Sequence, residues 1–179
     1  MAHNRPTRST RYRMPPPPVS TTLQVRQATA TDVDALVRLM RAFYAEAGFA
    51  LDAAWAASSL NALLSGSAPG GIWLATQDGE PVGHAVLTLR HSMEHGGWCG
   101  HIDDLFVAPA FRRRGAARLM LAAMFSACEA RGCKALYVEV GQSNTAARAL
   151  YAGFGLQPPG DDRLVLGTTL PRAGGARPG

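Results

Sequence analysis

The chain has few cysteines, few charged residues and no long apolar run. Its 179 residues include three cysteines, Cys99, Cys128 and Cys133. An odd number with no C-x-x-C pair and no zinc-type spacing gives neither a disulfide framework nor a zinc module. They read as reduced thiols in a cytoplasmic protein. No apolar stretch reaches the roughly 18 residues that cross a bilayer, so no membrane association is expected. No apolar segment near the start reads as a secretory signal. His84, His91 and His95 lack neighbouring ligands at metal spacing, so no metal is expected. Charged residues are 17% and hydrophobic residues 47% of the chain, a globular balance.

The formal net charge is +5, but it is unevenly placed. Residues 1–22 hold Arg5, Arg8, Arg11 and Arg13 and no acid, and residues 171–179 add Arg172 and Arg177. Residues 23–170 carry a net charge of −1, so the core has no field that would draw in a phosphate backbone, and nucleic acid is not an expected partner. Pro15 to Pro18 favour an extended conformation without internal hydrogen bonds. The expectation is therefore a disordered basic leader over 1–22, a folded domain over 23–170 and a disordered tail over 171–179.

Within the core, Leu23 to Ala28 alternates as a strand does. Thr31 is the expected cap of a helix whose apolar positions run Val33, Leu36, Val37, Met40, Phe43, Tyr44 and Ala47, with Gly48 as its stop. A weaker helix spans about Asp52 to Leu64. Strands follow at Ile72–Thr76 and Pro81–Arg90, joined by the turn signal Asp78-Gly79. His91 to Gly97 reads as a polar turn and Trp98–Val107 as a strand. Ala116–Arg131 is a helix, apolar on most faces and so largely buried. Lys134–Val140 is a strand, Asn144 opens a short helix through Tyr151, and Leu164–Leu166 allows a last strand. The class is α/β or α+β around one central sheet.

The strand ending at Val107 runs through a loop into Gly115, which opens a helix of small residues. Free N–H groups at such a helix start can meet an anion, and Gly115, Ala116 and Ala117 keep side chains out of the way. Arg112, Arg113 and Arg114 add charge at the same mouth. A diphosphate suits the place, although neither a P-loop nor G-x-G-x-x-G is present.

These residues resemble a family. Arg112 to Ala117 is similar to the R-x-x-G-x-A pattern of the GCN5-related N-acetyltransferase (GNAT) superfamily, and Asn144 to Tyr151 is similar to its N-x-x-A-x-x-x-Y element. Phe154-Gly155-Leu156 stands where Leu-Gly-Phe is more usual, a packing change. The resemblance implies a mixed, mostly antiparallel sheet flanked by helices and splayed open at an acetyl-CoA site. It assigns the diphosphate to the amides of Arg113 to Ala117, and the pantetheine to the main chain of Leu105, Phe106 and Val107. It gives Asn144 a cofactor contact and Tyr151 the protonation of the leaving thiolate. Dimers are common in the superfamily, so a homodimer is compatible with it.

The implied reaction is direct acetyl transfer to a primary amine, on a small molecule or a protein. An alkyl ammonium cannot attack a thioester, so some group must accept its proton. Period-2 alternation puts His101, Asp103 and Leu105 on one face of the strand and Asp104 on the other. His101 and Asp103 are the candidate bases. The alternatives are a wall residue for His101 and a substrate-binding acid for Asp103. Glu139 is a further cleft acid or a solvated one. Phe43, Tyr44 and Phe49 are expected mainly in the core, with one at most lining the acceptor pocket, and Trp73 and Trp98 as core or edge anchors. The pocket itself is expected from segments 44–70 and 91–97. A non-catalytic acyl-CoA-binding module is the alternative function, and Tyr151 and the acidic strand favour the enzyme.

Overall fold

Five strands in sequence order make one sheet, β1 (Leu23–Gln27), β2 (Gly70–Gln77), β3 (Glu80–Ser92), β4 (Gly97–Val107) and β5 (Ala135–Val138). The computed structural model describes residues 22–158 and 160; the leader, the tail and the strand expected at 164–166 lie outside them. Four helices accompany the sheet, α1 (Val33–Glu46), α2 (Ala53–Leu64), α3 (Ala116–Ala130) and α4 (Thr145–Ala152). The first three and all five strands form one compact unit ending at Glu139; α4 belongs to a second that begins at Val140.

β1 to β4 pair antiparallel, while β5 joins β4 parallel from Cys99–Ala135 to Ile102–Val138. β4 continues five residues past that last pair, so among the described residues its edge from Asp103 to Val107 has no strand partner on the β5 side. The mixed sheet splayed beside β4 is the one expected.

One face of the sheet carries α1 and α2. Leu36, Leu39 and Met40 of α1 and Ala56 and Leu60 of α2 close over Ile72, Leu74, Val86 and Phe106. A fully buried leucine such as Leu36 stabilises the fold by roughly 1.5–3 kcal/mol. The other face takes α3. There Gly100 allows close packing: a β-carbon on it would lie 2.8 Å from the Cys128 sulfur and 2.8 Å from Leu136 Cδ1. α3 buries a stripe of Ala116, Met120, Leu121, Met124 and Cys128 and leaves Leu119 exposed, so it is one-sided rather than buried all round.

Several boundaries differ from those expected. Thr29, not Thr31, stands at the extended capping position, and a short 3-10 turn over Ala30–Asp32 leads into α1. The Asp32 carboxylate accepts the Thr29 N–H at 2.8 Å, which makes this turn the better start. β3 runs on through His91 and Ser92 because Gly97 and Trp98 pair with them. Phe49 is 68% exposed rather than core. Trp73 is buried and Trp98 exposed.

Candidate functional site

The site begins with a fault in the β3–β4 ladder. Thr88 faces His101 and Leu87 faces Ile102, yet Val86 faces Asp104, so Asp103 is an extra residue in β4. The bulge overturns the expected alternation. His101 and Asp104 now share the face of Thr88 and Val86, whereas Leu105, opposite Ala85, lies on the other. Asp103 and Asp104 both line a cavity of about 450 Å³ between α1, α2 and the sheet. They also line a smaller adjoining one of about 250 Å³ with Phe43, Tyr44 and Phe49. Segment 44–70 contributes Trp55, Ser59, Leu60 and Leu63 to the larger cavity, and segment 91–97 contributes nothing to either.

The two acids have different surroundings. Asp103 is partly exposed, and its Oδ1 lies 2.9 Å from His101 Nδ1. Asp104 is only 9% exposed, with its Oδ2 3.5 Å from Nε2 of the fully buried His84. Neither ring nitrogen of His84 has a hydrogen-bond partner within the described residues. Its ring packs near Phe43 and Phe106. Tyr44 borders both cavities, and burial, then the charges of Asp104 and Asp103, raise its phenol above the ordinary tyrosine range, so it stays a hydrogen-bond donor. Sequence reasoning puts Asp104 near the cleft but on the opposite strand face from Asp103, and it misses His84 and Trp55.

The second part is the start of α3. Gly115 occupies the cap position at φ +94°, a left-handed conformation that costs an L-residue roughly 1–2 kcal/mol. A β-carbon placed there would meet no atom within 4 Å. The first helical bond runs from the Leu119 N–H to the Gly115 carbonyl at 3.0 Å, so the N–H groups of Ala116 and Ala117 precede the ladder and no side chain caps the end. An uncapped helix start, open space and the unpaired edge at Leu105, Phe106 and Val107 together fit an elongated ligand with an anionic end.

The three arginines do not act as one patch. Arg112 donates through Nε to the Val107 carbonyl at 2.8 Å and through Nη2 to Glu46 at 2.5 Å, with its guanidinium over the Phe106 ring. Arg114 donates to Gln77 at 3.3 Å and lies over Phe111. Arg113, at φ +63°, has no ion pair or side-chain hydrogen bond among the described residues.

In the second unit, Asn144 caps α4 by accepting the Ala147 N–H at 3.1 Å. Tyr151 is 8% exposed, and burial pushes its phenol up to about 12. Glu139, one residue past β5, is exposed.

Residues 33–156 match the model of the acetyltransferase (GNAT) family. The chain belongs to the GNAT family. Among its relatives, an aminoglycoside N(6')-acetyltransferase type 1 of Salmonella typhimurium is 27% identical over 90 residues, 48% of this chain and 61% of that protein. The match thus spans less than two thirds of that relative's length. An integron cassette protein from the mobile metagenome of Cole Harbour Salt Marsh has a solved structure with a TM-score of 0.74 and 41% identity, covering 84% of this chain and 92% of its own. The aminoglycoside N-acetyltransferase AAC(6')-Iy in complex with CoA shares the GNAT fold, with a TM-score of 0.72 and 19% identity over 85% of this chain and 97% of its own. No helix among the described residues of this GNAT protein is long and apolar enough to cross a membrane.

Proposed function

We propose that the chain is an acetyl-CoA-dependent N-acetyltransferase acting by direct transfer on a primary amine. The observation that carries this is the uncapped start of α3 at Gly115 beside the unpaired edge of β4, in a member of the GNAT family. The amides from Arg113 to Ala117 would hold the diphosphate, and the main chain of Leu105 to Val107 the pantetheine. Asn144 and Tyr151 take the roles that the family motif gives them. Acetyl-CoA, when bound, supplies an activated acyl carbonyl and a thiolate leaving group.

The chain's own residues handle the protons. Asp103 lines the cavity and pairs with His101, whose side chain is 29% exposed. The two act as one acceptor: the carboxylate takes up the ammonium proton and the imidazole relays it to water, leaving a neutral amine to attack. A phenol held protonated at Tyr151 is suited to give a proton to the departing sulfur. The acceptor is an amine on a small molecule or on a protein. The acetyl-transfer domain is assigned to residues 23–170, and a homodimer is compatible with the family.

Thermal unfolding with and without CoA tests the cofactor site. A ligand that binds only the native state raises Tm by mass action. Gly115→Glu puts a bulky anion at the helix start and is expected to abolish the shift, whereas Gly115→Ala is expected to reduce it less. A normal shift in Gly115→Glu overturns the site.

A further inference from the structure

The cavity beside the acids also constrains what the amine looks like. This step rests on the acetyl-transfer reading of the same site and goes beyond it. Two of the three similar proteins named above are aminoglycoside acetyltransferases. An aminoglycoside carries hydroxyl or ammonium groups on most of its ring carbons, and each must find a partner when it is buried. The larger cavity has little to offer such a molecule. Its apolar lining is Met40, Leu60, Leu63 and Val86, with the aromatic side chains of Tyr44 and Trp55. Its polar lining is the pair Asp103 and Asp104, the Tyr44 phenol, which feels the charge of both, and Ser59 and Thr88.

The geometry points to a primary monoamine with an aromatic or branched apolar body as the acceptor, its ammonium at Asp103 and Asp104 and its body between Tyr44 and Trp55. Asp104 is the stronger anchor for the cation. It is nine-tenths buried, has no hydrogen-bond donor closer than His84 at 3.5 Å among the described residues, and lines the cavity, so a ligand ammonium would supply further donors. Trp55, 42% exposed, lines the cavity with an aromatic surface on which an apolar body can settle. A cation with an apolar body sits in this space with its own polar group paired. A polyhydroxylated cation leaves several of its groups against leucine and methionine.

The test uses the full chain with 2-phenylethylamine, its uncharged analogue 2-phenylethanol, and kanamycin. Calorimetry on the CoA-loaded protein reads binding, and thiol release from acetyl-CoA reads turnover. The expected result is kcat/KM for 2-phenylethylamine at least about tenfold above that for kanamycin, the discrimination of one unpaired polar group. Binding of 2-phenylethanol is expected to be weaker by about tenfold or more, because the charged hydrogen bonds are gone. Trp55→Ala should raise KM for 2-phenylethylamine about tenfold, the scale of one lost aromatic contact, and Trp55→Phe should restore most of it. Tighter binding and faster turnover of kanamycin, or an unchanged KM in Trp55→Ala, overturns the proposal. Binding of 2-phenylethylamine without thiol release supports the pocket and overturns acetyl transfer. A CoA-induced Tm shift with no binding of 2-phenylethylamine overturns the pocket and leaves the cofactor site standing.

Discussion

His101 Nδ1 lies 2.9 Å from Asp103 Oδ1, at the bulge where β4 falls out of step with β3. The pairing joins two residues that sequence alone offers as rival bases. If they form one acceptor, neither single variant leaves the acidic limb of kcat/KM in place. His101→Ala is expected to lower kcat about 10²-fold or more and to remove the limb. Asp103→Asn is expected to lower kcat as well, because the amide cannot take up a proton. A rise in KM alone for Asp103→Asn, with the limb retained, would reduce Asp103 to a binding group. The measurement is kcat/KM against pH for both variants, with an amine whose own titration lies well above the limb.

Burial holds the Tyr151 phenol up at about 12, above the ordinary value of 10.0. A raised phenol stays neutral, so Tyr151 remains a proton donor through the whole working range. An alkaline limb seen below about pH 10 therefore has another origin. Tyr151→Phe keeps the ring and removes the proton. It is expected to lower kcat on the order of 10²-fold by an equal factor at every pH, with CoA affinity unchanged. A fall confined to high pH would contradict this role.

Much of the fold is local and was legible. The start of α2 at Asp52, the Asp78-Gly79 turn and the strand-to-helix switch at Gly115 each depend on neighbours within a few residues. The site was legible in composition and misjudged in geometry. Strict alternation sends Asp104 away from Asp103; only the pairing with β3 reveals the bulge that brings both to one cavity. Arg112 seemed to belong with its two arginine neighbours, but Glu46, its partner, is 66 residues away in sequence. Long-range pairing decides such details, and no local signal encodes it.

Arg112 and Arg113 should therefore separate in experiment. Arg112 ties the end of β4 to the last turn of α1. Both partners of the ion pair are substantially exposed, so water screens it and the pair adds less than about 1 kcal/mol. The hydrogen bond to the Val107 carbonyl and the stacking on Phe106 raise the cost of Arg112→Ala to about 1–2 kcal/mol, read as a lower Tm without CoA. Arg113→Ala is expected to leave that Tm unchanged or slightly raised, since it removes no contact. It should weaken CoA binding several-fold, with the difference shrinking as salt is added.

Acid stability turns on Asp32. Its carboxylate accepts Arg26 Nη2 at 2.7 Å and Nη1 at 2.8 Å, and the Thr29 N–H at 2.8 Å, in a setting only 9% exposed. The Arg26 guanidinium first, and the Thr29 donors with it, hold the carboxyl well below the usual carboxylate range against the opposing effect of burial. The folded state thus binds this proton less readily than the unfolded chain does. The stability it contributes is complete above the unfolded value near 3.8 and is lost as pH falls below it. Asp32→Asn removes the charge but keeps the shape. It is expected to cost on the order of 2 kcal/mol at neutral pH, the scale of hydrogen bonds to a charged group. That deficit should shrink as pH drops below about 4, until the two proteins unfold at similar denaturant concentrations. Urea unfolding at a series of pH values checks this. Parallel curves for the two proteins down to low pH would mean that Asp32 is not the group whose protonation weakens the fold.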